Sequence, residues 1–129
     1  MSHTKEWRKQ YYIRKDHKHK YQLTQRKCRL KRCYGITLEQ FEALWKYQDG
    51  KCRICDVQMT RDSSSSKSTT CCVDHDHKTK IVRGLICSAD NKALGLFGDD
   101  PIKLRKAATY LENTEFTRVI LYHYSDKFI

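Results

Sequence analysis

A chain of 129 residues, 32% charged and 39% hydrophobic, is too short and too polar for a large core. Such a domain commonly needs a cross-link, a staple in the form of a disulfide or a structural metal ion, to be stable. It has no apolar run of about 18 residues, which excludes a membrane-spanning helix, and no basic-then-apolar signal peptide opens it. Seven cysteines, an odd number, indicate metal binding in a reducing cytoplasm rather than complete disulfide pairing.

The N-terminal segment carries nearly all of the net charge of +11. Residues 1–34 hold twelve Lys and Arg and two acidic residues, a net of +10, so the rest of the chain has a net of +1. From Trp7 to Tyr34 there is no Pro or Gly, which predicts a long or interrupted basic helix that ends at Gly35. The charge asymmetry favours a nucleic-acid partner, because phosphates neutralised by Lys and Arg release counterions. The alternative is a solvated helix without a partner. Candidates for phosphate contacts lie at the end of this arm: Arg26, Lys27, Arg29, Lys31 and Arg32.

A second helix is predicted directly after Gly35. Thr37, followed three residues later by Gln40, has the pattern of a capping box, and Asp49-Gly50 suits the end of the helix. The apolar residues of this helix recur at helical spacing and are expected to supply core: Leu38, Phe41, Leu44 and Trp45.

The middle of the chain predicts a hairpin. Residues 71–75 and 81–86 have the pattern of two antiparallel strands across a turn, and the serine-rich residues 61–70 are typical of a flexible surface loop.

Helices are expected again after the hairpin. Residues 88–97 predict an amphipathic helix that turns three apolar residues inward: Ala93, Leu94 and Phe97. Asp100-Pro101 is typical of the start of a further helix, with an Asp cap and Pro at the first helical position. Residues 114–129 fit a helix and a strand equally well.

Two half-sites for a metal bracket the hairpin. Cys52 and Cys55 form a Cys-x-x-Cys turn, called the knuckle (residues 52–55), that can hold zinc. The second half-site is expected from Cys87 and Asp90. A carboxylate oxygen is a harder donor than a thiolate. Three outcomes are open: Asp90 completes the site, Cys71 or Cys72 takes its place, or zinc binds poorly or not at all.

Cysteines and histidines of the arm lack this arrangement. Cys28 and Cys33 are five residues apart, a poor spacing for one ion on one helix face, and His17 and His19 are expected to be solvated.

The Asp/His cluster at residues 74–77 suggests phosphodiester hydrolysis. Asp74 and His75 are neighbours on a predicted strand, so their side chains point to opposite faces, and one can reach a metal while the other approaches a water. Asn91 is the candidate for a second oxygen ligand to that metal. Asp76 either caps the turn or takes part in catalysis, and Arg83 either reaches a phosphate or pairs with a carboxylate.

These motifs together resemble a known family. Asp-His-Asp-His, Val-Arg-Gly-Leu-Ile-Cys, Asn-Lys-Ala-Leu-Gly and the earlier Cys-x-x-Cys are similar to the phage recombination endonuclease VII family, within the His-Me finger (HNH-like) nucleases. The resemblance spans about residues 34–112.

The resemblance implies roles for individual residues. Asp74 and Asn91 would hold a catalytic magnesium (or manganese) ion, His75 would be the general base, and His77 would assist near the phosphate. The cysteine pairs would hold structural zinc. The chain departs from the family at Asp90, which replaces a zinc cysteine, and at Lys80, which replaces a turn glycine.

The predicted fold is a small α+β fold: a ββα-metal (His-Me finger) core with a zinc-stapled knuckle, flanking helices and a basic N-terminal helical arm. Its expected parts are a DNA-binding arm (residues 1–34), a nuclease domain (35–112) and a C-terminal extension (113–129).

The expected function is magnesium-dependent hydrolysis of DNA in the cytoplasm of a bacterial host, without a membrane partner. The resemblance implies branched substrates, such as four-way junctions, and a homodimer. The alternatives are a sequence-directed HNH-type (homing or restriction-like) endonuclease and a non-catalytic zinc module that binds nucleic acid.

Overall fold

The computed structural model describes residues 4–61 and 67–125, so the middle of the predicted serine-rich loop lies outside the described residues. The fold is small and of the α+β class, as predicted. Its elements are α1 (Lys5–Tyr34), α2 (Leu38–Tyr47), β1 (Cys71–His75), β2 (Val82–Cys87), α3 (Ser88–Leu96), α4 (Pro101–Glu112) and α5 (Glu115–Ser125). No helix within the described ranges is long and apolar enough to cross a membrane.

The N-terminal arm is one continuous helix, α1, although the sequence also allows an interrupted one. Gly35 ends it in a left-handed conformation (φ 68°), and the Gly35 N–H donates to the Lys31 carbonyl at 3.0 Å. Of the 30 residues of α1, Leu30 alone is buried. Packing therefore holds the C-terminal end of the helix, while helix propensity and pairs such as Lys20–Asp16 (2.8 Å) maintain the rest.

The predicted capping box at the start of α2 is confirmed. The Thr37 hydroxyl oxygen accepts from the Gln40 N–H at 3.2 Å, and the Gln40 side-chain oxygen accepts from the Thr37 N–H at 2.8 Å. These two bonds satisfy N–H groups that have no partner inside the helix. The predicted core face of α2 is confirmed for Phe41, which is buried, and in part for its half-buried neighbours Leu38, Leu44 and Trp45.

A tight turn after α2 redirects the chain, and glycine is required there. Gly50 has a φ of 66°, and an added Cβ would lie 2.8 Å from the Trp45 ring and 2.7 Å from the Gln58 amide nitrogen. Any larger residue at this position would therefore have to displace one of these side chains and adopt an unfavourable backbone conformation.

Strands β1 and β2 pair antiparallel, with Cys71 opposite Cys87 at one end. The register shifts between Asp74 and His75, which leaves Arg83 in an extra position of β2. A bulge of this kind re-aims a side chain. Here it allows Arg83 to reach Asp74 on the neighbouring strand.

The buried apolar residues form a small core in which α1, α2, the segment after α2 and the hairpin meet. Among the described residues these are Leu30, Phe41, Cys52, Met59, Leu85, Ile86 and Cys87. Two of them, Cys52 and Cys87, also belong to the candidate metal cluster described below, so part of that cluster lies in the core itself.

The chain divides into two compact units, Met1–Asp90 and Asn91–Ile129. The second unit has little core, since neither α3 nor α4 has a buried residue. Leu94 is half-buried, but Ala93 and Phe97 are exposed, so their predicted inward orientation is wrong. Helical spacing places these residues on one side of α3, but burial also needs a packing partner, which periodicity does not specify.

Helix α4 begins with the predicted Asp-Pro cap. The Asp100 carboxylate accepts from the N–H groups of Ile102 at 2.8 Å and Lys103 at 3.3 Å, and these bonds lower the pKa of Asp100. Pro101 occupies the first helical turn, where its missing N–H costs nothing. The residues from Glu115 to Ser125, for which the sequence allowed both helix and strand, form α5.

Candidate metal centre and catalytic site

Four side chains converge at the end of β2 to form the candidate metal cluster, which comprises Cys52, Cys55, Cys87 and Asp90. One potential ligand atom from each lies within 4.8 Å of all the others. Of the predicted outcomes, the structure brings Asp90 into the cluster, while Cys71 and Cys72 lie on β1 outside it.

The dimensions of the cluster fit a tetrahedral zinc ion. With Zn–S bonds of about 2.3 Å, a tetrahedron places two sulfurs about 3.8 Å apart. The Cys55 and Cys87 sulfurs are 3.8 Å apart. The Cys52 sulfur and the Asp90 carboxylate are 3.0 Å apart, where a zinc-bound pair would need about 3.6 Å. The second pair would therefore have to widen by about 0.6 Å (3.6 less 3.0 Å) to bind one zinc ion.

Backbone amides surround the cluster sulfurs. The Cys52 sulfur accepts from the N–H groups of Ile54 at 3.5 Å and Cys87 at 3.3 Å, and the Cys87 sulfur accepts from the Asp90 N–H at 3.4 Å. Such donors stabilise thiolates and fix their orientation, as expected around a metal site. They come from the turn between Cys52 and Cys55, the end of β2 and the first turn of α3.

Hydrogen bonds inside the cluster move the pKa values of its members in opposite directions. The pKa of Cys55 rises to about 12, chiefly because its thiol hydrogen-bonds to the Asp90 carboxylate, and burial raises the pKa of Cys87. The same thiol donors, Cys55 and Cys52, lower the pKa of Asp90. A metal ion would have to displace the protons of Cys55 and Cys87, so metal affinity should increase with pH.

Asp74, the candidate catalytic carboxylate, is buried in the hairpin beside the bulge. It is 8% exposed, and its two oxygens accept from Arg83 Nε at 2.7 Å and Nη2 at 3.0 Å. Of the two roles open for Arg83, the structure shows pairing with a carboxylate; its contact with a phosphate stays a prediction. A carboxylate has about four acceptor positions, so Asp74 retains capacity for a hard cation such as Mg²⁺.

His75, the candidate general base, lies at the end of β1 among other rings. The Tyr34 ring meets it edge-on with centroids 5.4 Å apart, and the His77 ring lies at 4.8 Å. His75 is half-buried and His77 is exposed. The contact with Tyr34 restricts the orientation of the imidazole and ties the end of α1 to the candidate site.

The turn that follows His75 is organised by Asp76. Its carboxylate accepts from the N–H groups of Lys78 and Thr79, both at 2.8 Å, and these bonds lower its pKa. The capping role predicted for Asp76 is confirmed. Lys80 closes the turn in a left-handed conformation (φ 63°), which is strained for any residue with a Cβ.

The other predicted residues lie on helices. Asn91 is exposed on α3 and belongs to the second unit, so its part in a metal site stays a prediction. The five basic candidates of the arm lie on the C-terminal part of α1, where Arg26 is half-buried with its guanidinium 4.7 Å from the Phe41 ring centre. Cys28, Cys33, His17 and His19 are exposed on the same helix, as expected.

Two residues that position β2 were missed by the sequence analysis. The Gln48 side chain accepts from the Leu85 N–H at 2.9 Å and donates to the Leu85 carbonyl at 2.7 Å, so it acts as a further pairing partner for β2. Arg53 donates to the Arg83 carbonyl at 2.8 Å. A polar residue directly after an amphipathic helix gives no signal for such a role, because the partner lies 37 residues away.

Comparison with known proteins gives matches to the central part of the chain. The family model described as recombination endonuclease VII matches residues 27–113. The Gene 59 protein of Mycobacterium phage D29 is 40% identical over 88 residues, and that of Mycobacterium phage L5 is 39% identical over 88 residues. Each match covers 67% of this chain and 50% of the relative, so the chain spans about half the length of these curated relatives.

Proposed function

Because the chain belongs to the recombination endonuclease VII family, we propose that it is a magnesium-dependent nuclease that hydrolyses phosphodiester bonds in DNA through a ββα-metal (His-Me finger) core. The observation that carries the proposal is the pair Asp74–His75 at the end of β1. The carboxylate is buried beside a cationic partner, and the imidazole next to it is half-buried but still accessible.

In the proposed reaction His75 is the general base. A neutral imidazole takes a proton from the attacking water, whose oxygen bonds to phosphorus while the bond to the leaving sugar oxygen breaks. The Tyr34 ring packs against the imidazole of His75, and the proposed role of His77, whose ring lies 4.8 Å from that of His75, is to assist at the same phosphate group.

Asp74 is the proposed protein ligand for the catalytic cation, and Asn91 is retained as the amide ligand on the strength of the family resemblance. A divalent ion in such a site stabilises the charge that develops on the phosphate and the leaving oxygen. Arg83 donates to both oxygens of Asp74 and so fixes the orientation of the carboxylate. The cluster of Cys52, Cys55, Cys87 and Asp90 is the proposed zinc site, and it stabilises the knuckle against β2.

The proposed substrate is branched DNA, of which a four-way junction is the reference case. Its resolution needs two nicks, which a homodimer would supply. The test compares junction, flap and linear duplex of the same sequence, with Mg²⁺ and with Mn²⁺, beside zinc quantification on the same preparation. Faster cleavage of the linear duplex at one fixed sequence would instead indicate a sequence-directed endonuclease.

The assignment of His75 is tested with a matched pair of histidine variants. His75→Ala should slow cleavage by about 10²–10⁴-fold, the usual contribution of a general base, with DNA affinity retained. His17→Ala removes an exposed histidine from α1 and serves as the control. Equal cleavage rates for His75→Ala and the parent would refute the catalytic role. DNA binding without cleavage under any divalent cation would leave a non-catalytic zinc module.

A further inference from the structure

A groove runs between α1 and β1 inside the first unit. Its volume is about 650 Å³, and Cys71 and Val73 of β1 are among its lining residues. The wall contributed by α1 contains Tyr21, Arg26, Arg29 and Arg32. Arg61 also lines the groove, and the described lining residues include no Asp or Glu. The groove is therefore strongly cationic and partly aromatic.

The groove leads to the candidate general base. Side chains alternate along a strand, so Cys71, Val73 and His75 share one face of β1. The first two lie in the groove, and so does Tyr34, whose ring contacts His75 at 5.4 Å. A strand bound along this groove would thus arrive at His75.

Aromatic rings hold two of the arginines in place. The Arg26 guanidinium lies over Phe41 at 4.7 Å, and that of Arg61 lies over Trp45 at 4.3 Å. Arg61 also pairs with Glu42 at 2.9 Å. Stacking leaves in-plane N–H donors available to phosphate oxygens, apart from Nη1 of Arg61, which already contacts Glu42.

We propose that this groove binds an unpaired stretch of the DNA strand that is cut at His75, with arginines on its phosphates and tyrosines against its bases. The size argues for a single strand, since the volume is that of a small-molecule pocket and is too small for a duplex. The cleavage step rests on the proposed function, whereas binding in the groove does not. Part of the wall, Tyr21 to Arg26, precedes the region that the family model matches.

The first test uses two charge-matched double variants of α1. Arg29→Gln with Arg32→Gln removes two charges from the groove, and Lys27→Gln with Lys31→Gln removes two from residues that do not line it. Both double variants lose the same long-range electrostatic attraction to DNA. For a single-stranded oligonucleotide the arginine pair should lose about tenfold more affinity than the lysine pair. Equal losses would overturn the proposal.

The second test uses two exposed cysteines of α1 as reporters. Cys28 lines the groove and Cys33 does not. A single-stranded oligonucleotide should slow maleimide alkylation of Cys28, but not of Cys33, in the full-length His75→Ala protein, with peptide mapping to assign the sites. Equal effects on both thiols, or equal protection of Cys28 by a duplex, would refute binding of an unpaired strand.

These readouts separate the two proposals. Protection of Cys28 together with undiminished cleavage by His75→Ala would support the groove and refute the catalytic assignment. Loss of cleavage in His75→Ala without protection of Cys28 would do the reverse.

Discussion

The pairing of Arg83 with Asp74 gives a quantitative prediction for stability. Arg83→Ala would leave a carboxylate with a side chain 10% exposed and without the two bonds of 2.7 and 3.0 Å that it now accepts. Breaking a fully buried ion pair costs about 3–5 kcal/mol. Because the Arg83 side chain is 38% exposed, water replaces part of the interaction, and we expect a loss of about 2 kcal/mol in the free energy of unfolding.

The assay is urea unfolding of zinc-saturated protein without other divalent cations. A double-mutant cycle with Asp74→Ala isolates the pair, and its coupling energy should be about 2 kcal/mol. The matched control is Arg118→Ala, which removes an exposed pair with Glu115 at 3.4 Å and should cost less than about 0.5 kcal/mol. Mg²⁺ should stabilise Arg83→Ala more than the parent, since one cation competing for Asp74 is gone. A coupling energy below about 0.5 kcal/mol would show that water already satisfies Asp74, and the reasoning would fail.

Two further substitutions test the candidate metal cluster and the turn after α2. Asp90→Cys should tighten zinc binding, because a fourth thiolate is a softer ligand than a carboxylate; competition with a chromogenic chelator measures this, and weaker binding would contradict the assignment of Asp90 as a ligand. Gly50→Ala should destabilise by at least about 2 kcal/mol, because strain at φ 66° adds to contacts of 2.7 and 2.8 Å. Gly35→Ala has a φ of 68° and no atom within 4 Å of the new Cβ, so it isolates the backbone strain and should cost about 1 kcal/mol. Thermal melts of both variants measure the two costs. Similar costs for the two glycines would contradict the steric argument.

Local signals in the sequence predicted local structure well. The capping box of Thr37 and Gln40, the Asp100-Pro101 start and the break at Gly35 each follow from interactions within four residues. Strand β1 was predicted with its observed ends, because its alternation and the Asp76 turn are also local. The metal half-sites were visible for the same reason.

Contacts between distant residues were not predictable in the same way. The bulge that turns Arg83 towards Asp74 has no sequence signature, so pairing and phosphate binding looked equally plausible. The edge-on contact of Tyr34 with His75 joins residues 41 positions apart in the chain and depends on how α1 meets the hairpin. Burial of Ala93 and Phe97 was predicted wrongly, because spacing identifies a face and says nothing about what covers it.

The carboxylate in the candidate metal cluster affects which disulfide its cysteines can form when no metal is bound. A site with two Cys-x-x-Cys turns can close each turn as a local disulfide once its metal has left. Cys87 has Asp90 in place of the second cysteine, so its sulfur faces that of Cys55 at 3.8 Å. Oxidation at Cys87 would therefore cross-link the knuckle to β2, across 32 residues of chain, and would lock the two halves of the site together rather than release them.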